Sequence, residues 1–86
     1  MKSIRLSTHA EGYLAKRGFS REEVIETIRT APWLVTEGGG QRRECAKEFR
    51  FERQWNGKYY RIKKLRPIFV EEATEIVVIA VYVYYY

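Results

Sequence analysis

Apolar residues along this chain recur first at helical spacing and later at every second position. Residues 3–6 fit a short edge strand. Thr8 and Glu11 then stand at the spacing of an N-terminal capping box, and Ala10, Tyr13, Leu14 and Arg17 share one helical face. Gly18 is placed to end that helix in a left-handed cap, and Gly12 weakens it by up to about 1 kcal/mol relative to Ala. A second helix follows at once. Ser20 caps it, Glu23 completes the box, and Phe19 can staple onto Val24. Val24, Ile25 and Ile28 form its buried stripe. Pro32 stops it by about Thr30, because the residue before a proline is driven out of the helical region. Residues 8–30 therefore read as a compact pair of helices.

The second half reads as strand. Trp33-Leu34-Val35 is a short apolar run. Gly38-Gly39-Gly40 follows it as a surface loop in preference to a phosphate loop, since no Lys-Ser or Lys-Thr comes after the glycines. From Arg43 the pattern is an antiparallel meander, with Asn56-Gly57 as its hairpin turn. A two-residue turn there pairs Trp55 with Lys58, Gln54 with Tyr59, Arg53 with Tyr60, Glu52 with Arg61, Phe51 with Ile62 and Arg50 with Lys63. Alternation then places Phe51, Trp55, Tyr60 and Ile62 toward the helices. Arg50, Glu52, Gln54, Tyr59, Arg61 and Lys63 fall on the other face, with Glu52 and Arg61 as a cross-strand ion pair. Pro67 is expected to end or bulge the second long strand. Glu71-Glu72-Ala73-Thr74 forms a polar turn. Glu75 to about Tyr84 is a last strand, apolar on both faces and so central in the sheet. The expected fold is α+β: one domain over residues 1–86, with two N-terminal helices packed on an antiparallel sheet of three to four strands.

Charge sharpens this picture because it is local. The chain carries a net charge of +5, yet residues 41–66 alone hold ten Lys and Arg against three Glu. Phe49, Phe51, Trp55, Tyr59 and Tyr60 are threaded through that basic stretch. Cations interleaved with rings suit a polyanion that also offers flat faces, and nucleic acid fits best. The plainer alternative is a solvated basic surface. No apolar run approaches the ~20 residues of a membrane-spanning helix, and residues 1–12 lack the apolar core of a signal peptide. The single Cys45 cannot form an internal disulfide, which fits a cytoplasmic protein. With His9 as the lone histidine, neither a metal centre nor a cofactor is expected.

The arrangement resembles a small prokaryotic protein family of undefined function. The resemblance rests on Ser7-Thr8-His9-Ala10, Lys16-Arg17-Gly18-Phe19-Ser20, Glu23-Val24, Arg66-Pro67-Ile68-Phe69-Val70-Glu71-Glu72 and Ile76-Val77-Val78-Ile79-Ala80-Val81-Tyr82. It spans residues 4–84. That family is similar in layout to BrnT toxins and more distantly to RelE/ParE toxins of toxin–antitoxin pairs. Tyr13 stands where members often carry Arg, and Ala80 where Thr is common. The resemblance implies a metal-independent ribonuclease, or a ribosome-binding protein, held off by a cognate antitoxin.

Metal-free RNA cleavage needs a base for the 2′-hydroxyl, cations for the phosphorane and an acid for the leaving oxygen. His9 is the candidate base. It sits in the expected first turn of a helix, where the dipole disfavours the imidazolium. The plainer role for a lone histidine is packing or capping. Arg61 is the candidate charge stabiliser and Tyr82, or Tyr84, the candidate acid; Glu52 is an alternative base. Arg50 and Lys63 are the main phosphate contacts beside Arg61, since Arg binds phosphate through two donors and Lys as a point charge. Arg42, Arg43, Lys64 and Tyr59 extend the nucleic-acid-binding set. Three functions compete: a toxin-like ribonuclease, a non-catalytic nucleic-acid-binding module, and an interaction protein docking an acidic partner on the basic face. The phenol-rich end, Tyr82–Tyr86, either seals a dimer or covers the core.

Overall fold

A computed structural model describes residues 2–36 and 40–86. β1 (Ser3–Leu6) leads into α1 (Thr8–Gly12), α2 (Leu14–Arg17) and α3 (Arg21–Thr30). β2 (Leu34–Val35), β3 (Arg42–Glu44), β4 (Lys47–Trp55), β5 (Lys58–Glu71) and β6 (Glu75–Tyr85) follow. Of the triple-glycine loop, Gly38 and Gly39 lie outside the described residues.

The expected pair of helices on three to four antiparallel strands is corrected in both layers. Three short helices and six strands are present among the described residues, in one mixed sheet of order β1-β6-β5-β3-β2, with β4 also pairing β5. The helix expected over 8–17 breaks at Tyr13. There the Tyr13 N–H bonds the Ala10 carbonyl at 3.2 Å, a tight closure of the turn directly after the helix-weakening Gly12. Its cap is Ser7 and not Thr8: Ser7 Oγ accepts from the Ala10 N–H at 3.1 Å. Glu11 turns away from any capping role and pairs with Arg21 at 2.8 Å.

The sheet exceeds the expected strand count because the short strand at residues 3–6 joins it and the meander divides. β1 pairs with β6 in parallel, Ile4 beside Ile76 and Leu6 beside Val78, which buries Leu6 and Ile76 together. The meander strand is interrupted at Cys45 and Ala46, so β3 and β4 are separate strands on one long β5. β4 pairs with Lys58–Leu65 and β3 with Ile68–Val70. Pro67 does not end β5. It falls in the gap between β3 and β4, where no neighbour on that side needs its missing N–H, and the register with β6 shifts just beyond it, between Ile68 and Phe69.

α3 forms as expected. Ser20 and Glu23 make a full capping box, and the helix stops at Thr30. Gly18 takes the left-handed conformation, φ 75° and ψ 43°, that glycine adopts at least cost. The core lies between the helices and one sheet face. Ala10, Phe19, Val24 and Ile28 meet Leu65, Phe69, Val78 and Val81 there. Trp33 closes one end, with its ring edge-on to Phe69 at 4.9 Å and its indole N–H donating to the Ile28 carbonyl at 2.8 Å. No helix among the described residues is long and apolar enough to cross a membrane.

Candidate nucleic-acid interface

Alternation settles what the other sheet face carries. Leu65, Phe69, Val78 and Val81 point into the core, so their neighbours Lys64, Arg66, Tyr82 and Tyr84 point away from it. The pairing register sets Arg66 beside Tyr82 and Lys64 beside Tyr84, with Glu48 on the far side of Lys64. Tyr82 and Tyr84 remain 41% and 44% exposed. The Arg66 guanidinium lies 5.0 Å from the Tyr82 ring and 6.0 Å from that of Tyr84. This face is therefore a row of open rings with cations beside each, a surface on which unpaired bases can stack while phosphates are neutralised. Tyr86 ends the row. Its hydroxyl donates to the Glu48 carboxylate, a bond that raises the phenol above its ordinary value.

A β-bulge decides where the hairpin residues go. Trp55–Lys58, Gln54–Tyr59 and Arg53–Tyr60 pair as expected, but the register then slips by one between Arg50 and Arg53. Glu52 sits at φ 49°, and β4 holds one residue more than its partner. Arg50 consequently pairs with Ile62 and Phe49 with Lys63. Three expectations fail with the slip. Phe51 does not oppose Ile62. The ion pair is Arg50–Glu52 at 3.4 Å and not Glu52–Arg61. Lys63 does not join the basic face: it is 6% exposed, sits beneath α3 and donates to Glu23 Oε2 at 2.7 Å and to the Gly18 carbonyl at 3.0 Å. A cation held this way neutralises the capping-box carboxylate and is not available to phosphate.

The remaining candidates divide between the two ends of the molecule. Arg50 and Arg61 are exposed and line one shallow hollow with Glu52 and Ile62. Arg42 is exposed at the β3 end of the uncovered face, while Arg43 turns back to donate to the carbonyls of Gly40 and Arg42. Lys64 is half-buried beside Tyr84, and Tyr59 is exposed near the hairpin tip. His9 is exposed on α1, its ring centroid 5.0 Å from that of Tyr13. From there a line of contacts wraps the free edge of β6. Arg17 lies 4.1 Å from the Tyr13 ring and 5.4 Å from the Tyr82 ring, and it donates to the Val81 carbonyl at 2.7 Å.

His9 and Tyr82 thus belong to one ridge. Arg61 does not: it stands beside the row of Tyr86 and Ile62, four residues along β6 from Tyr82, or roughly 13 Å at strand rise. The cations beside Tyr82 are Arg17 and Arg66. Both were missed from the sequence as site residues, although Lys64-x-Arg66 facing Tyr82-x-Tyr84 is an alternation visible in it. Phe51, Trp55 and Tyr60 do face the helix side as expected, clustered on Tyr85 at 5.2, 5.2 and 5.5 Å, whereas Ile62, expected there too, pairs with Arg50 and lines the outer hollow. Burial pushes the Tyr85 phenol up to about 12. It donates to the Arg17 carbonyl at 2.7 Å, which anchors α2 to the sheet. Burial likewise pushes the Cys45 thiol up to about 11, so this cysteine is a core residue and a poor nucleophile. Among the described residues no three His, Cys, Asp or Glu side chains gather so as to hold a metal ion.

No family model, curated protein or solved structure matches this chain.

Proposed function

We propose that this protein binds single-stranded RNA on the uncovered face of its sheet. Tyr82 and Tyr84 serve as stacking surfaces, and Arg66, Lys64, Arg42, Arg50 and Arg61 contact phosphates. The observation that carries this reading is the cross-strand pairing of Arg66 with Tyr82 and Lys64 with Tyr84, on a face the core-forming helices leave open. Rings and cations alternate there at strand spacing. Each ring–base stack is worth about 1–3 kcal/mol, and each phosphate neutralised adds roughly 0.7 to the salt slope on single strands. Titration of a labelled single-stranded RNA at increasing salt tests it. Binding should weaken steeply from low to physiological salt; affinity that stays flat removes the reading.

A second reading is metal-independent RNA cleavage of the toxin kind that the sequence resembles. It is favoured by the continuous contacts from His9 through Tyr13 and Arg17 to Tyr82. In this reading His9 is the base, Tyr82 the acid, and Arg17 and Arg66 stabilise the phosphorane. A cognate antitoxin with an acidic segment would cover the same face. Incubation of RNA with the purified protein and a chelator, beside His9→Ala, separates the two readings. Cleavage that the variant abolishes supports the enzyme, and intact RNA that still binds supports the module.

A further inference from the structure

Near one end of the uncovered face a cavity of about 660 Å³ opens among β2, β3, β5 and β6, lined by Leu34, Arg42, Glu44, Arg66, Ile68 and Tyr82 among others. Its chemistry differs from the rest of the face because its carboxylate is enclosed, whereas Glu48 and Glu52 elsewhere on that face are exposed and pair with Tyr86 and Arg50. Glu44 stands across from Ile68 on one side and Leu34 on the other, and its side chain is 19% exposed. Its only polar contact among the described residues is a long one, 3.5 Å from Arg66 Nη1. Arg66 is equally underused: its Nε is buried with no acceptor among the described residues, and so is the hydroxyl of Thr36, another lining residue. A salt bridge built for stability would close to a bidentate contact at ordinary hydrogen-bond distance. This pair leaves most of its lone pairs and donors unspent.

A carboxylate within a phosphate-binding surface repels the backbone, so its favourable partner is a set of N–H donors on a base. A carboxylate accepts through two oxygens. Guanine alone offers two adjacent donors on its pairing edge, N1–H and the 2-amino group. Adenine and cytosine set an acceptor nitrogen beside their amino group, and uracil flanks its single N–H with two carbonyls. We infer that this cavity takes one nucleotide of the bound RNA and selects guanine. The Glu44 carboxylate accepts from N1–H and the 2-amino group, the Tyr82 ring stacks on the base, and Arg42 and Arg66 hold the adjoining phosphate. Leu34 and Ile68 supply the apolar walls that keep water from competing for the edge. The inference rests on the RNA-binding reading above.

Fluorescence anisotropy with labelled oligouridylates carrying one central guanosine, adenosine or inosine tests it. Inosine retains N1–H and lacks the 2-amino group. Wild type should bind the guanosine oligomer about tenfold more tightly than plain oligouridylate, the scale of a good two-donor base contact. Inosine should lose most of that gain, and adenosine all of it. Glu44→Gln, whose amide offers one acceptor and one donor, should abolish the preference and leave oligouridylate binding unchanged or stronger. Equal affinity of wild type for all these oligomers overturns the guanine site while RNA binding stands. Failure of every oligomer to bind removes the RNA-binding reading and the site together. The inosine comparison uses wild type alone, so it decides the matter even where Glu44→Gln does not fold.

Discussion

Lys63 and Lys64 are adjacent and have opposite roles. Lys63 is enclosed under α3 with Glu23, whereas Lys64 lies beside Tyr84 on the uncovered face. Removing one partner of an enclosed ion pair leaves the other charge uncompensated, and Glu23 here keeps only 24% exposure. Lys63→Met should therefore cost about 2 kcal/mol, below the full value for a completely buried pair, with RNA affinity unchanged. Lys64→Ala should do the reverse: stability within about 0.5 kcal/mol of wild type and a shallower salt dependence of binding. Urea unfolding and RNA titration of both variants check the pair, and exchanged outcomes would show that the two side chains had been assigned to the wrong faces. Tyr85 adds a pH signature. Its phenol is raised to about 12 in the folded protein against about 10 in an unfolded chain. Between those values the unfolded state gives up the proton first, so the stability contributed by the neutral phenol is complete below pH 10 and lost as pH rises toward 12. The stability difference between wild type and Tyr85→Phe should shrink across that window. A difference constant with pH would contradict a buried neutral phenol.

At the level of elements, the join between α2 and the sheet leaves no room for a side chain at Gly18. A Cβ on Gly18 would overlap the Tyr85 hydroxyl and approach the Trp55 ring at 2.7 and 2.9 Å, on a backbone with φ +75°. Gly18→Ala should cost about 2–3 kcal/mol, from left-handed strain plus overpacking. A change of only a few tenths in urea unfolding would mean that the α2 cap is not held against the hairpin. The ends of α3 and this cap were readable from sequence because their signals are local: Ser20 with Glu23, Gly18, and Pro32. The basic face was only partly readable. Counting outward from Asn56-Gly57 works for three pairs and then meets a one-residue bulge at Phe51–Glu52 that nothing in the sequence announces. On β5 the same irregularity breaks alternation: the Arg61 and Ile62 N–H groups both donate to the Tyr86 carbonyl, so Tyr60 and Lys63, three positions apart, both face the helix side, and counting in twos misplaced Lys63. The β1–β6 pairing was hidden for a different cause, because it joins residues about seventy positions apart with no turn between them to fix a register.

Across the whole molecule, the charge pattern and the fold act together. The chain concentrates +7 within residues 41–66, and folding divides that charge between pairs that tie helices to the sheet, such as Lys63–Glu23 and Lys47–Glu26, and cations left on the open surface, such as Arg42, Arg50, Arg61, Lys64 and Arg66. Only the second set contributes to a polyanion-binding field, so the salt response should be smaller than ten basic residues would suggest. The most direct test of the account is anisotropy titration of a labelled single-stranded RNA with wild type, the Tyr82→Ala/Tyr84→Ala double variant, and Lys63→Met as the folding-sensitive control. The account predicts salt-sensitive binding by wild type, unchanged affinity for folded Lys63→Met, and a loss of about 2–4 kcal/mol for the double variant, the scale of two base stacks. Wild type that does not bind, or a double variant that binds as tightly as wild type, would contradict the assignment of the uncovered face.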